Sequence, residues 1–482
     1  MNKKLVFSFI GKLCFIEALL LILPMIVAVI YRENWLNLQA FLITIIILIF
    51  VSFLSYQLKP KKNGYTLKEG LAITSLSWFA LSFFGALPFV FSGQIPSLVD
   101  ACFEMASGFT TTGSSILENV EELSQSMLFW RSFSHLIGGM GILVFAFAFA
   151  PQQGEGSVNI MKAEVPGPQF GKLVAKNKNT ARINYRIYLV MTLIFIILLW
   201  LSGLNLFDAM IHAFGAAGTG GFSNKALSVA HFNNPAVEYI LSIAMLLFGV
   251  NFNLYYFLLN KQIKTIFKNE ELRLYLGFVL ISLVLIMINI STNYNQVELL
   301  FRDSLFTVTT IVSTTGYATA DFDQWPLFSK LIIMLLMFTG SMAGSTAGGI
   351  KISRILVYLK TIKREIKLAI QPRRVFPLTI DRNPISEAFI KQTFIYLGTY
   401  VLIFITGLLL LSLDRGDFLT DFSAVSATLN NIGPGLAGVG PRMNFSDFND
   451  FSKIVMTILM IIGRLEIFPV LILINTSIWK KR

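Results

Sequence analysis

The chain has 482 residues, of which 55% are hydrophobic and only 14% charged, and its formal net charge is +12. Soluble proteins carry about 25% charged residues, whereas here apolar runs of about 20 residues, long enough to cross a bilayer, recur from end to end. A soluble enzyme, a nucleic-acid-binding protein and a disordered chain are excluded, because the basic residues sit in short loops between apolar spans, where membrane topology accounts for them better than phosphate contacts do.

In chain order the pattern predicts ten full spans, at 5–31, 35–57, 70–92, 126–150, 185–204, 236–260, 272–291, 327–358, 386–412 and 452–478. Lys3 and Lys4 precede the first, which is too long for a signal-peptide core and reads as a retained helix. With a cytoplasmic N-terminus, the cytoplasmic segments are 58–69, 151–184, 261–271, 359–385 and the tail. Most of the Lys and Arg then fall in these segments or at adjoining helix ends, among them Lys59, Lys61, Lys62, Lys172, Lys176, Lys178, Lys363, Arg364, Arg373 and Arg374. That satisfies the positive-inside rule. Acids gather on the other side, including Glu118, Glu121, Glu122, Asp321, Asp323, Asp414 and Asp417. They read either as solvated loop surface or as a field that concentrates cations at an entrance. Cys14 and Cys102 lie in apolar surroundings and imply no disulfide framework. His135, His212 and His231 have no metal-ligand spacing.

Each long external segment holds a second, shorter apolar stretch that cannot span, and the four stretches resemble one another. They run from Asp100 to Gly113, Asp208 to Gly221, Asp303 to Gly316 and Asp421 to Gly433. The Asp-to-Gly separation is 13 in three copies and 12 in the fourth. The chain therefore reads as an all-α polytopic membrane protein: two N-terminal transmembrane helices, then four span–half-helix–loop–span repeats around one axis. A helix of ~11 residues rises about 16 Å, so each half-helix enters from outside and stops near mid-membrane. Non-helical backbone at that depth is tolerated where it is buried in protein or lines a water-filled cavity. Four such loops would make a ring of carbonyls able to replace the hydration shell of an alkali cation. The half-helices aim their partly negative C-terminal ends inward, which suits a cation. Gly113, Gly221, Gly316 and Gly433 fit the backbone dihedrals such a loop needs. Asp100, Asp208, Asp303 and Asp421 read as N-caps complementing the helix dipole, with direct ion binding as the alternative.

Two features lie below these loops. GSMAGSTAGG at 340–349 holds Gly340, Gly344, Gly348 and Gly349. It predicts a break in the eighth span, read either as close packing through small residues or as an intramembrane gating loop. Arg464 sits near the centre of the last span, where a guanidinium facing lipid would cost at least ~2.5–3.5 kcal/mol. It therefore faces protein, as a clamp on carbonyls, or the pore. Glu466 is about 200° around the helix and a poor partner for it.

The loops resemble the Trk/Ktr/HKT superfamily of potassium and sodium transporters. The residues that carry this are SGFTTTGSS at 107–115, AAGTGGFSN at 216–224, VSTTGYATADF at 312–322 and LNNIGPGLAGVGP at 429–441, with FTGSMAGSTAGGIKISR at 338–354 and IGRLEIFPVLIL at 462–473. Length and the two extra helices favour the bacterial TrkH branch. The resemblance implies potassium uptake across the bacterial inner membrane through a pseudo-fourfold pore, with both termini cytoplasmic. It implies a homodimer and a cytoplasmic ring of RCK-type, TrkA-like nucleotide-binding subunits that controls opening. Potassium is the transported ion, and no organic cofactor and no nucleic acid are expected. The implied filter residues are Thr110, Thr111, Thr112 and Gly113; Gly218, Thr219, Gly220 and Gly221; Ser313, Thr314, Thr315 and Gly316; and Asn430, Asn431, Ile432 and Gly433. The resemblance also strengthens the gating reading of Gly340, Gly344, Gly348, Gly349 and Arg464. The second loop is unusually Gly-rich and the fourth has Asn430, Asn431 and Ile432 where others have Thr, so selectivity over sodium is expected to be modest.

The units implied are residues 1–67 for the N-terminal helices, then pore repeats at 68–150, 151–260, 261–358 and 359–482. The basic segments 151–186 and 359–391 read equally as docking sites for the cytoplasmic partner and as topology signals that meet anionic lipid. The alternative functions are a symporter coupling potassium to protons or sodium, with Glu17, Glu104 and Glu466 as its candidate membrane carboxylates, and a sodium- and potassium-permeable transporter of the same superfamily. A membrane enzyme lacks support, since no HExxH, GxSxG or paired-carboxylate site falls within the spans.

Overall fold

The computed structural model describes residues 1–58, 66–141, 178–414 and 417–475. The last nine residues of the expected 126–150 span, most of the expected cytoplasmic segment 151–184, Lys59, Lys61, Lys62, Lys172 and Lys176 lie outside the described residues. The described chain is helical apart from a two-stranded hairpin pairing Thr379–Ile380 with Asn383–Pro384.

Among the described residues six helices are long and apolar enough to cross a membrane: Lys3–Ile30, Trp35–Tyr56, Lys68–Phe91, Arg182–Leu201, Glu270–Asn293 and Glu387–Leu411. Their outward faces carry exposed large apolar side chains, such as Ile46, Phe53, Leu193, Leu280 and Leu402. Water would not tolerate so much exposed apolar surface, and lipid does. The chain is a multi-pass membrane protein. The two N-terminal helices pack closely, and a β-carbon on Gly11 would fall on the Ser55 hydroxyl, 1.6 Å away. Small residues permit such an approach where no hydrophobic effect drives helices together.

Inside the long helices lie four half-helices, Leu98–Phe109, Leu206–Gly218, Val297–Val312 and Phe418–Asn430, each followed by a loop. Most of their side chains are buried. The expected N-cap role of the repeated Asp residues is corrected here. Ser97, Asn205 and Asp417 are the capping residues, and they accept from the backbone N–H of Asp100, Asp208 and Thr420. Asp100, Asp208 and Asp421 sit within the first turn, where they still complement the helix dipole. Asp303 lies farther in and accepts from the Tyr294 hydroxyl at 2.9 Å.

After each loop comes an inner helix, and all four are short: Gln125–Gly139, Pro235–Phe248, Leu327–Thr339 and Asp450–Arg464 span 15, 14, 13 and 15 residues. At 1.5 Å per residue that is about 20–23 Å, less than the ~30 Å hydrocarbon core. The expected spans 236–260, 327–358 and 452–478 are all interrupted, where the sequence predicts a break only in the second. The first bends by 92° between Phe248 and Phe252. The second unwinds between Thr339 and Ile352. The third breaks at Leu465, after which Glu466 and Ile467 take φ of 56° and 73°. Helix Gln125–Gly139 ends the same way, at Gly141 with φ 79°. The sequence predicts a break in one inner helix, and among the described residues three have one.

Candidate functional site

The four half-helices end alike. The residue two before each loop glycine, Thr111, Thr219, Thr314 or Asn431, is left-handed with φ of 55–58°. In each case the next N–H bonds back five residues: Thr112 to Ser107 O, Gly220 to Gly215 O, Thr315 to Thr310 O and Ile432 to Ala427 O, at 2.8–3.0 Å. The preceding N–H bonds back three residues, as in Thr111 to Gly108 O. This is the Schellman closure of a helix C-terminus. A left-handed residue with a β-carbon costs roughly 1–2 kcal/mol. Four repetitions of that cost mark a geometry held by the surrounding fold. The next glycines, Gly113, Gly221, Gly316 and Gly433, have φ of 87°, 73°, 86° and 97°.

Their environments close a cycle. A β-carbon on Gly113 would lie 2.0 Å from the Gly220 carbonyl oxygen, one on Gly221 1.9 Å from that of Thr315, and one on Gly316 2.1 Å from that of Ile432. One on Gly433 would lie 3.0 Å from the Thr112 carbonyl oxygen. Each glycine abuts the carbonyl that precedes the glycine of the next loop, and the fourth returns to the first. Side chains at the first three positions would strike backbone. The four equivalent carbonyls are those of Thr112, Gly220, Thr315 and Ile432. Oxygen donors without a carboxylate suit a weakly hydrated alkali cation. Among the described residues no cluster of three or more His, Cys, Asp or Glu could hold a metal ion.

Side chains behind the loops explain why the quadrants differ. In the first and third, Thr110 with Thr112 and Ser313 with Thr315 form hydroxyl pairs at 2.7 Å. In the second, His135 takes the space. Its Nε2 accepts from Phe222 N–H at 3.2 Å, so Nδ1 carries the proton and donates to Gly108 O at 2.7 Å. A β-carbon on Gly220 would lie 2.4 Å from the His135 ring, and one on Gly218 2.2 Å from the His135 carbonyl oxygen. The Gly-rich second loop thus makes room for a histidine that staples loops one and two. In the fourth quadrant, Asn430 accepts from the Tyr400 hydroxyl at 2.9 Å, and Asn431 donates to the Thr112 hydroxyl at 2.8 Å.

Glu104 and Arg131 form a buried ion pair at 2.5 Å. Glu104 also accepts from the Ser115 hydroxyl and the Ile116 N–H, both at 3.0 Å, and Arg131 donates to the Ser223 carbonyl at 3.0 Å. The pair ties the rising limbs of loops one and two together. Glu466 pairs with Arg354 at 2.5 Å, on another helix, as its angle from Arg464 required. Glu17 is buried and its carboxylate has no hydrogen-bond partner among the described residues.

Beneath the loops lies the unwound segment after Thr339. Gly340, Gly344 and Gly349 have φ of 50°, 77° and 70°, so three of the four glycines singled out in the sequence take conformations that favour glycine. The fourth, Gly348, donates its N–H to the Thr314 hydroxyl at 2.8 Å. A β-carbon on it would lie 2.3 Å from the Asn430 carbonyl oxygen. The segment therefore touches loops three and four from below. Lys351, at its end, is buried and donates to the carbonyls of Ala347 and Gly348.

Arg464 is the last residue of its helix, not the middle of a continuous one. It is buried, donating to Gly138 O at 2.6 Å, Gly139 O at 2.7 Å, Thr346 O at 2.6 Å and the Thr111 hydroxyl at 3.1 Å. The end of the first inner helix, the unwound segment and Thr111 of the first loop thus meet at one guanidinium. Sequence reasoning brought Arg464 and the 340–349 segment to one depth. It missed His135, the Gly138–Gly139 carbonyls and Thr346 as their partners. The GGMG run at 138–141 carried a signal for the second of these.

A family model described as "TrkH: Cation transport protein" matches residues 37–481. The Trk system potassium uptake protein TrkH of Escherichia coli K12 is 32% identical over 488 residues, covering all of both chains. The TrkG potassium uptake protein of the same organism is 32% identical and covers 98% of this chain and 97% of that one. The crystal structure of the potassium transporter TrkH from Vibrio parahaemolyticus superposes with a TM-score of 0.89 at 30% identity, over the full length of both chains.

Proposed function

The chain belongs to the TrkH family of cation transport proteins, and from that premise we propose that it takes potassium into the bacterial cell through a gated pore whose filter is the cycle of four loops. A transporter, not an enzyme, follows from the family. One observation carries the filter reading: the four equivalent carbonyls of Thr112, Gly220, Thr315 and Ile432 succeed one another in a closed cycle. Thr110–Gly113, Gly218–Gly221, Ser313–Gly316 and Asn430–Gly433 are its residues. Their carbonyl oxygens replace the hydration shell of potassium at no cost in titratable groups. The quadrants differ in chemistry, and selectivity over sodium is modest for that reason.

The gate is the unwound segment with Gly340, Gly344, Gly348 and Gly349, together with Arg464. A fixed guanidinium beside Thr111 opposes a cation until it is moved or screened. Residues 1–67 brace the pore, and 68–150, 151–260, 261–358 and 359–482 supply its quadrants. The relatives are named as parts of a Trk system. On that ground we assign this chain a homodimeric assembly in the inner membrane and a cytoplasmic RCK-type ring that moves the segment. The ion pairs at Glu104 and Glu466 leave Glu17 as the carboxylate available to a coupled mechanism, and they favour passive, gated flow. Rubidium uptake into liposomes with competing sodium tests the proposal. Uptake driven by the rubidium gradient, preferred over sodium and indifferent to a proton gradient, is the expected result.

A further inference from the structure

Glu271 sits at the start of the Glu270–Ile290 helix, buried, at the foot of the third pore repeat. One of its carboxylate oxygens, Oε1, accepts two backbone N–H groups: Ala343 at 2.7 Å and Ser353 at 3.1 Å. These residues flank the middle of the unwound segment, one near its entry and one just past its exit. A single oxygen thus pins both ends of a ten-residue excursion of backbone.

The middle of that excursion is docked in the bend of the second inner helix. Met342 N–H donates to Gly249 O at 3.2 Å, and Phe252 N–H donates to Gly344 O at 3.1 Å. The Thr346 hydroxyl reaches Phe248 O at 3.3 Å. Unwound backbone at this depth must find partners within the protein. The 92° bend between Phe248 and Phe252 frees backbone groups that the next turn of helix would have used. The two irregular segments satisfy one another. The anchor is itself held. Asp381, in the cytoplasmic hairpin, accepts from Asn269 Nδ2 and from Glu270 N–H, both at 2.8 Å. Lys360 donates to Glu270 and to the Thr379 carbonyl.

We infer that Glu271 is a positioning residue, the latch that holds the 340–351 segment against loops three and four, with the Phe248–Phe252 bend as its seat. The inference rests on the gating role proposed above for that segment. Glu271 touches neither the filter nor the transported ion. Its loss lets the segment leave the Thr314 hydroxyl and the Asn430 carbonyl without changing the carbonyl cycle.

The test uses the full chain in liposomes, with Cys14 and Cys102 replaced by Ser and a single Ser345→Cys reporter, since Ser345 is buried on the segment. A membrane-impermeant thiol reagent on the cytoplasmic side reads the position of the segment, and rubidium flux reads the pore. Glu271→Ala is expected to raise the labelling rate about tenfold and to raise flux, with the rubidium-to-sodium ratio unchanged. Glu271→Gln, whose carbonyl oxygen still accepts both N–H groups, is expected to restore most of the wild-type protection. Glu271→Asp is too short to reach both donors and serves where Ala fails to fold; it should label faster than Gln. Equal labelling in wild type, Asp and Ala variants would overturn the latch. Faster labelling with unchanged flux would uphold the latch and overturn the gating role of the segment.

Discussion

Arg464 donates from Nη1 to the carbonyl oxygen of Thr346 at 2.6 Å, a bond that joins the last inner helix to the unwound segment of the third repeat. Both arms of the guanidinium are engaged, and the same Nη1 reaches Thr111 in the first of the four loops. The arrangement reconciles two readings of this residue. Arg464 clamps carbonyls, and one of them, Thr346 O, belongs to the segment we propose as the gate.

Replacing Arg464 by Ala should raise rubidium flux about tenfold, the effect of removing about 1.4 kcal/mol from the barrier. Control by the cytoplasmic ring should weaken while the rubidium-to-sodium ratio stays at its wild-type value. Flux assays on purified protein with and without the ring check this. A folded variant with wild-type flux and control would remove Arg464 from the gate.

Shortening the 340–349 segment by three residues should also raise flux and lower dependence on the ring, because contact with Thr314 and Asn430 is lost. If the shortened protein stays folded and dimeric with background flux, the segment is a packing element.

The half-helices and their glycines were legible because they recur. One DACFEMASGFTTTG stretch says little, but four with nearly constant Asp-to-Gly spacing specify an architecture. The breaks in the inner helices were not legible beyond the Gly/Ser run at 340–349. At Phe248–Phe252 only Gly249 and Asn251, and at Arg464–Phe468 only Arg464 and Glu466, interrupt the apolar run, and hydropathy cannot see a change of direction. The glycines at 249 and 463 were the available signals, and glycine is common in membrane helices. His135 was hidden for a different reason. Its partners, Gly108 O and Phe222 N–H, come from two repeats, and a pairing of that kind has no spacing in sequence.

Gly113→Ser should reduce the preference for rubidium over sodium, because its β-carbon would lie 2.0 Å from the Gly220 carbonyl. The same change at Gly433, where the corresponding distance is 3.0 Å, should be milder. Relative rubidium and sodium fluxes in the two variants check the order; equal loss at both positions would contradict the geometry.

Gly220→Ala should destabilise the fold by about 1–3 kcal/mol, the usual range for overpacking, since the new methyl meets the His135 ring at 2.4 Å. Adding His135→Ala should recover part of that loss by vacating the space. Thermal unfolding in detergent measures both; no recovery in the double variant would mean His135 is not the obstacle.

Glu104→Leu should cost about 3–5 kcal/mol by leaving Arg131 buried without its carboxylate. Combining it with Arg131→Met should cost less than the sum of the single changes. A double-mutant cycle on unfolding midpoints checks the coupling, and strict additivity would show that the 2.5 Å pair contributes nothing specific.

In the proposed filter the carbonyls of Thr112, Gly220, Thr315 and Ile432 surround a transported cation. Crystals of the protein grown in rubidium, measured at the rubidium absorption edge, test it most directly. An anomalous peak is expected on the axis of the four loops, within coordination distance of those four oxygens and weakened in Gly113→Ser. A rubidium-loaded crystal with no peak there, or with its strongest peak away from the loops, would contradict it.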